Sequence, residues 1–237
     1  MSASADAEFL ERALRPLLPP SAVCCVAPGE SVIWSPYAEE RRIVAWALPS
    51  RRHEFFTGRD CARRALARIG AGTSAISRRS AGDPEWPAGV TGSIAHGGRW
   101  CIAVAASKAE VKSVGVDVEV ARRIDARTAS FIEPPLTRSR GGSEFGSLRT
   151  TIVFGAKEAF YKSVRPLIPF SFDFEDVGIE FDPPRQVFVL PSTGGIFRTD
   201  FSVPARFALL DGHIWTVVAL EKRALGRILE SVLVARA

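Results

Sequence analysis

Residues 113–120, SVGVDVEV, alternate without a break. Val114, Val116, Val118 and Val120 fall on one face, and Gly115, Asp117 and Glu119 on the other. A period of two is that of a β-strand. The valine face predicts a strand seated on a core, and burying that face pins the register. Asp117 and Glu119 then project side by side from the opposite face. Neighbouring anions repel unless a cation or basic groups lie between them. The spacing alone leaves two readings open, a solvated strand face and a carboxylate-held cation.

Downstream, FGAKEAFYKSV (154–164) carries a helical period, and a helix is predicted over 152–165. At roughly 100° per residue, Lys157, Glu158, Tyr161, Lys162 and Arg165 share one arc. Val153, Ala156, Phe160 and Val164 share the other. Glu158 and Lys162 are also a good surface pair at i,i+4. Upstream, GSIAHGG (92–98) puts His96 on a short loop after a strand. Backbone amides in such a loop can approach phosphate. A helix is expected over 51–69, capped by Ser50, stopped by Gly70 and buried along Ala62, Ala65, Leu66 and Ile69. Another is expected over 8–18. Strands are expected at 21–26, 31–34, 90–94, 100–106, 186–190, 206–210 and 213–220, with Asp211-Gly212 as a tight turn. Residues 71–89 read as a loop and 121–150 as an ill-defined connection. Residues 221–237 read as a last helix or a loosely docked tail. Helix and strands followed by helix and strands point to an α+β fold of two related subdomains, over 1–112 and 113–237.

The chain has 237 residues, of which 46% are hydrophobic and 24% charged, and this balance excludes a disordered or coiled-coil chain. No apolar run approaches the ~20 residues of a membrane span. The N-terminus, MSASADAEFLERAL, has no apolar signal core, so a cytoplasmic protein is expected. The four cysteines form no C-x-x-C pair, which argues against a thiolate zinc site and for small buried hydrophobes. His53, His96 and His213 are too few for a histidine metal site. Any metal must therefore rest on carboxylates, as a hard cation does. The formal charge is +5, carried partly by arginine pairs spread along the chain. Dispersed cations fit a small polyanion or an acidic protein at least as well as nucleic acid.

WPAGVTGSIAHGG (86–98), SVGVDVEV and FGAKEAFYK (154–162), in that order, resemble the 4′-phosphopantetheinyl transferase superfamily. RRHEFFTGRDCARRALARIG (51–70) is similar to the arginine-rich helix of its bacterial Sfp-like group, which includes siderophore-synthase and mycobacterial-type enzymes. The paired signatures are G-[ILV]-D-x-E and F-x-x-K-E-x-x-x-K. The likeness runs from about residue 50 to 165, with a weaker echo in HIWTVVAL (213–220).

The resemblance implies two similar subdomains with pseudo-twofold symmetry in a monomer, and a site at their junction. It implies transfer of phosphopantetheine from coenzyme A, the co-substrate, to a serine of acyl or peptidyl carrier proteins, releasing adenosine 3′,5′-bisphosphate. Magnesium, with manganese as the alternative ion, would rest on Asp117, Glu119 and Glu158. Glu158 would accept the serine proton, with Lys162 and His96 completing the catalytic set. Arg51, Arg59 and Arg78 would clamp the 3′-phosphate. His96 would donate to that phosphate or to the diphosphate, Lys157 and Lys162 would reach the diphosphate, and Ser93 would line the coenzyme A site. Neither membrane nor nucleic acid is an expected partner. Ala95 and Gly155 stand where the family usually has small polar residues, and 134–150 departs from its pattern. Leu167, Ile168 and Phe170 are expected to form a carrier-facing lip. Two other classes remain in view: a basic nucleic-acid-binding module using Arg51, Arg59, Arg63 and Arg64, and a phosphoesterase with a carboxylate-held metal.

Overall fold

The computed structural model describes residues 3–80, 82–133, 143–168, 172, 177–178, 180–182, 187–190 and 201–235. The first half contains helix α1 (Ala3–Leu14), strand β1 (Val23–Pro28), helices α2 (Ala38–Ile43) and α3 (Pro49–Arg68), and the hairpin β2 (Val90–Gly97) and β3 (Trp100–Ser107). The second contains β4 (Ser113–Val120), α4 (Ala126–Ile132), α5 (Arg149–Val164), β5 (Glu180–Asp182), β6 (Val187–Leu190), the hairpin β7 (Phe201–Leu210) and β8 (His213–Leu220), and α6 (Lys222–Ala235).

The two halves share a topology. In each, a strand and a long helix precede a hairpin, and the hairpin's second strand pairs with the first strand. This gives the order β1-β3-β2 in one sheet and β4-β8-β7 in the other, which β6 and β5 then extend. The α+β class and the two similar subdomains follow from this shared order.

Period-two alternation sorts each sheet between two cores. Ala62, Ala65 and Leu66 of α3 pack on Cys25, Ala103 and Ala105 of the first sheet. Ala156, Ala159, Phe160 and Val164 of α5 pack with Ile214, Val218 and Leu220 of the second. Between the sheets lie Val114, Val116 and Val118 with Val26, Ile102, Val104, Trp215 and Val217, closed by Leu10 and Leu14 of α1. The valine face is thus buried up to Val118, while Val120 is exposed.

The sheets meet edge to edge at β2 and β4. Ser93 Oγ accepts from the Val116 N–H at 3.1 Å. A Cβ on Gly97 would overlap the Val118 carbonyl, and one on Gly115 would overlap the Ala159 carbonyl of α5. Both positions need glycine because backbone stands against backbone. The hairpin tips are tied as well: Asp211 accepts from Arg99 Nη2 at 2.7 Å and from Trp100 Nε1 at 2.6 Å.

Several elements differ from expectation. Residues 31–34 form no strand, because the Val32 N–H donates to Thr57 Oγ1 of α3 at 3.0 Å. Ser50 does not cap α3: Pro49 takes the first turn, where its missing N–H is harmless, and Leu48 is the N-cap. His96 belongs to β2, opposite Cys101, rather than to a loop. Helix α4, inside the segment read as a connection, is capped by Asp125, which accepts from the Thr128 N–H at 3.0 Å. Residues 222–235 are helical, with Ile228 buried. Ile168 is core, so it forms no part of a lip, while Leu167 is half-buried and packs against the same core. Phe170, Gln186 and 134–142 lie outside the described residues. All four cysteines are buried and free, and burial pushes the Cys24 thiol up to about 12.

Gly115→Ala should destabilise the protein by roughly 3 kcal/mol or more, the upper range for an overpacked core, because only backbone can yield. Urea unfolding checks this, and an unchanged midpoint would refute the close approach of α5 to β4.

Candidate active site

Both halves line a common cavity of about 390 Å³: α3, β2 and the loop between them from the first, and α5 from the second. On β2, the alternation that turns Ile94 toward α3 also turns His96 that way. There it meets Arg51 and Glu54, one helical turn apart. Arg51 Nη1 donates to Glu54 Oε2 at 3.0 Å and also to His96 Nε2. On β4, the face opposite the valines turns Asp117 and Glu119 toward α5. Glu158, Tyr161, Lys162 and Arg165 of α5 line the same cavity as Arg51, Glu54, Arg59, Arg78, Ser93 and His96.

The carboxylates are crowded around one ammonium. Lys162 Nζ donates to Asp117 Oδ1 at 2.6 Å and stands 3.9 Å from Glu158 Oε2. Asp117 is 4% exposed, and its Oδ2 is buried without a hydrogen-bond partner. Glu119 is pushed up to about 7, by burial first and then by Asp117, with Glu158 adding and Lys162 and Arg122 opposing. Glu158 is raised by burial and by Asp117, against Lys162. Both shifts mark anions short of positive charge.

The cationic wall is built from α3 and the loop after it. Glu40, wholly buried, accepts from Ser35 Oγ at 2.5 Å, Arg63 Nη1 at 2.6 Å and the Ile76 N–H at 2.9 Å. Three donors satisfy the buried carboxyl group, which would be costly to leave unpaired. They fasten the loop to α3. Arg59 completes the join: its Nε donates to the Ile76 carbonyl at 3.0 Å and its guanidinium lies 4.2 Å above the Phe55 ring. Burial lowers its pKa to about 10, still charged at neutral pH. Arg78 is exposed, with Nε on the Gly82 carbonyl at 2.8 Å. Burial lowers the His96 pKa; Arg51 and Lys162 act in the same direction, while Glu54 and Asp117 oppose.

Nine of the ten site residues expected from sequence therefore meet here or at the adjoining carboxylates. Lys157 does not: it is 3% exposed and off the cavity wall. Seven residues separate it from Val164, only ~20° around a helix, so it belongs to the inward side. Ser93 lines the cavity, but its hydroxyl is engaged with β4. Glu54 was not among the expected residues, although its i+3 spacing from Arg51 is visible in sequence. Among the described residues, no three His, Cys, Asp or Glu side chains close on one point as a metal site.

Residues 39–106 match the model of the 4′-phosphopantetheinyl transferase N-terminal domain, and residues 113–218 that of the 4′-phosphopantetheinyl transferase superfamily. The chain is 30% identical to 4′-phosphopantetheinyl transferase Npt of Nocardia iowensis over 195 residues, 76% of this chain and 87% of that one. It is 30% identical to 4′-phosphopantetheinyl transferase Svp of Streptomyces mobaraensis over 195 residues, 78% of each chain. It is 34% identical to 4′-phosphopantetheinyl transferase PptT of Mycobacterium tuberculosis over 150 residues, 62% of this chain and 66% of that one. The chain belongs to the 4′-phosphopantetheinyl transferase superfamily.

This transferase therefore moves phosphopantetheine to carrier proteins. The nucleic-acid and phosphoesterase readings find no support, and Arg63, which the former needed, is engaged with Glu40. No helix among the described residues is long and apolar enough to cross a membrane.

Gly155 has a consequence for the transferase's stability. A Cβ there would lie 3.1 Å from Thr216 Oγ1 and 3.5 Å from Asp117 Oδ2, both buried without partners. Gly155→Ser should place a hydroxyl within reach of both and recover roughly half of the ~1 kcal/mol by which glycine falls below alanine inside a helix. The melting temperature should rise by roughly 2–4 °C; a fall would show that the space is too tight.

Proposed function

We propose that the transferase works by joining two half-sites across the β2–β4 contact: a cationic one that grips coenzyme A and an acidic one that holds a divalent cation. The observation that supports this reading is the single cavity bordered by Arg51, Arg59, Arg78 and His96 on one side and by Glu158 and Lys162 on the other. A polyanion reaching from the first group to the second finds donors at both ends.

Asp117, Glu119 and Glu158 fit magnesium, or manganese in its place, for three reasons. They are hard oxygen donors, one Asp117 oxygen lacks a donor, and the Lys162 ammonium stands between two of them where a cation is expected. When bound, the ion supplies compensation for the diphosphate and for charge developing on the leaving phosphate. Arg51 and Arg78 grip the 3′-phosphate, for which a planar guanidinium offers paired donors. Arg59 adds charge from beneath while holding the loop. Lys162 faces the diphosphate, and His96, bonded to Arg51, backs that arginine at the 3′-phosphate.

The carrier serine Oγ attacks the phosphorus that bears the pantetheine arm. A new P–O bond forms, the bond to the other phosphate breaks, and adenosine 3′,5′-bisphosphate leaves with that electron pair. Glu158 accepts the serine proton; a carboxylate that also holds the ion is a weak base, so its contribution comes from position beside the reacting hydroxyl. The formal charge of +5 suits acidic acyl or peptidyl carriers, with attraction acting mainly on association rate. A cytoplasmic monomer without nucleic-acid partners completes the reading.

Asp117→Ala or Glu158→Ala should lower transfer at least roughly a hundredfold, the loss typical of removing a charge-stabilising group. The mass of an apo carrier reports it, and turnover within a few-fold of wild type at saturating magnesium would refute the acidic half-site. Arg51→Ala or Arg78→Ala should raise the KM for coenzyme A roughly tenfold, the value of a charged hydrogen bond, and change that for dephospho-coenzyme A much less. Equal changes would mean these arginines do not read the 3′-phosphate.

A further inference from the structure

Glu54 is a carboxylate in the cationic wall of the cavity proposed to grip coenzyme A. On charge alone it should hinder binding. Its contacts give it another task. Glu54 Oε2 accepts from Arg51 Nη1 at 3.0 Å and lies 3.8 Å from His96 Nδ1. Arg51 Nη1 also donates to His96 Nε2, closing a triangle between α3 and β2. Arg51 has no lone pair, so Nε2 must accept and the ring proton sits on Nδ1, the atom turned toward Glu54.

We infer that Glu54 is a positioning residue for coenzyme A: it orients the Arg51 guanidinium and fixes the His96 tautomer and ring, so that both are set before the 3′-phosphate arrives. Arg51 is a half-exposed side chain on the first turns of α3, with Glu54 and His96 as its hydrogen-bond partners. Without an acceptor at 54, its long side chain samples many rotamers and must be ordered on binding. His96 sits at the open end of β2, and loses the group that faces Nδ1. The inference rests on Arg51 being the 3′-phosphate contact, with His96 holding the guanidinium from the other side.

Sign separates this role from simple electrostatics. Removing an anion from an anion site should lower the KM for coenzyme A, whereas removing a positioning group should raise it. Glu54→Ala should raise that KM about tenfold, leave the KM for dephospho-coenzyme A within about twofold, and change kcat little. Glu54→Gln keeps an oxygen that can accept from Arg51 and should recover most of the loss. A lowered or unchanged KM in Glu54→Ala overturns the inference. If Arg51→Ala also leaves the KM unchanged, the phosphate reading itself fails; if Arg51→Ala behaves as expected, only the role of Glu54 does. A second readout needs no turnover. The chain has three histidines, so two-bond ¹H–¹⁵N spectra resolve each ring, with His96→Gln giving the assignment. Above the His96 pKa, wild type should show His96 protonated on Nδ1, and Glu54→Ala should shift it toward the Nε2-protonated form. An unchanged tautomer in the variant overturns the inference as well.

Discussion

Strand β4 is held between two backbones with no side chain to spare. At Gly115 the α5 backbone rests on it, and at Gly97 the β2 backbone does. Contacts of this kind have almost no tolerance, since a single methyl would meet a carbonyl that cannot rotate away. The positions of α5 and β2 relative to β4 are therefore fixed by main chain. Asp117 and Glu119 lie between these two contacts or beside them, so their distance from Glu158 on α5 and from His96 on β2 is set by the same constraint. The glycines that make the fold possible also place the two half-sites against each other.

The electrostatics of the junction follow from that placement. Three carboxylates are brought within mutual influence in a partly desolvated place, and Lys162 is the ammonium bonded between two of them. Glu119 responds by rising to about 7, and Glu158 rises too. A surface built only for stability would spread such charges apart. On the other wall the buried Glu40 serves the opposite purpose: its donors are all supplied by the protein, and it holds the loop that carries Arg78. One acidic group is fully satisfied and structural, whereas Asp117 and Glu158 share one ammonium beside the cavity.

Much of this was legible in the sequence because it depends on local period. The alternation over 113–120 gave the strand, its buried face and the paired carboxylates. The helical period over 154–164 gave α5, and Asp211-Gly212 gave the turn of the last hairpin. What stayed hidden depends on packing. Lys157 and Lys162 look alike in sequence, and only the seven-residue step to Val164 separates the inward one. Ile168 follows the helix and looks free, yet the second core takes it, with Leu167 half-buried beside it. Residues 31–34 have strand composition, but their amide is claimed by Thr57 across 25 positions. Asp125 was a readable cap for α4. Glu54 was readable in spacing, but nothing local showed that His96, 42 residues on, would meet it.

The central claim is that the place of the Lys162 ammonium between Asp117 and Glu158 is a divalent-cation site facing the diphosphate of coenzyme A. A crystal structure of the protein with coenzyme A and manganese, with anomalous scattering recorded for the metal, tests it most directly. The account predicts one manganese peak within roughly 2.0–2.3 Å of carboxylate oxygens of Asp117 and Glu158, with Lys162 turned from Asp117 onto a diphosphate oxygen. A manganese peak elsewhere, or Lys162 still bridging Asp117 and Glu158 beside bound coenzyme A, would contradict it.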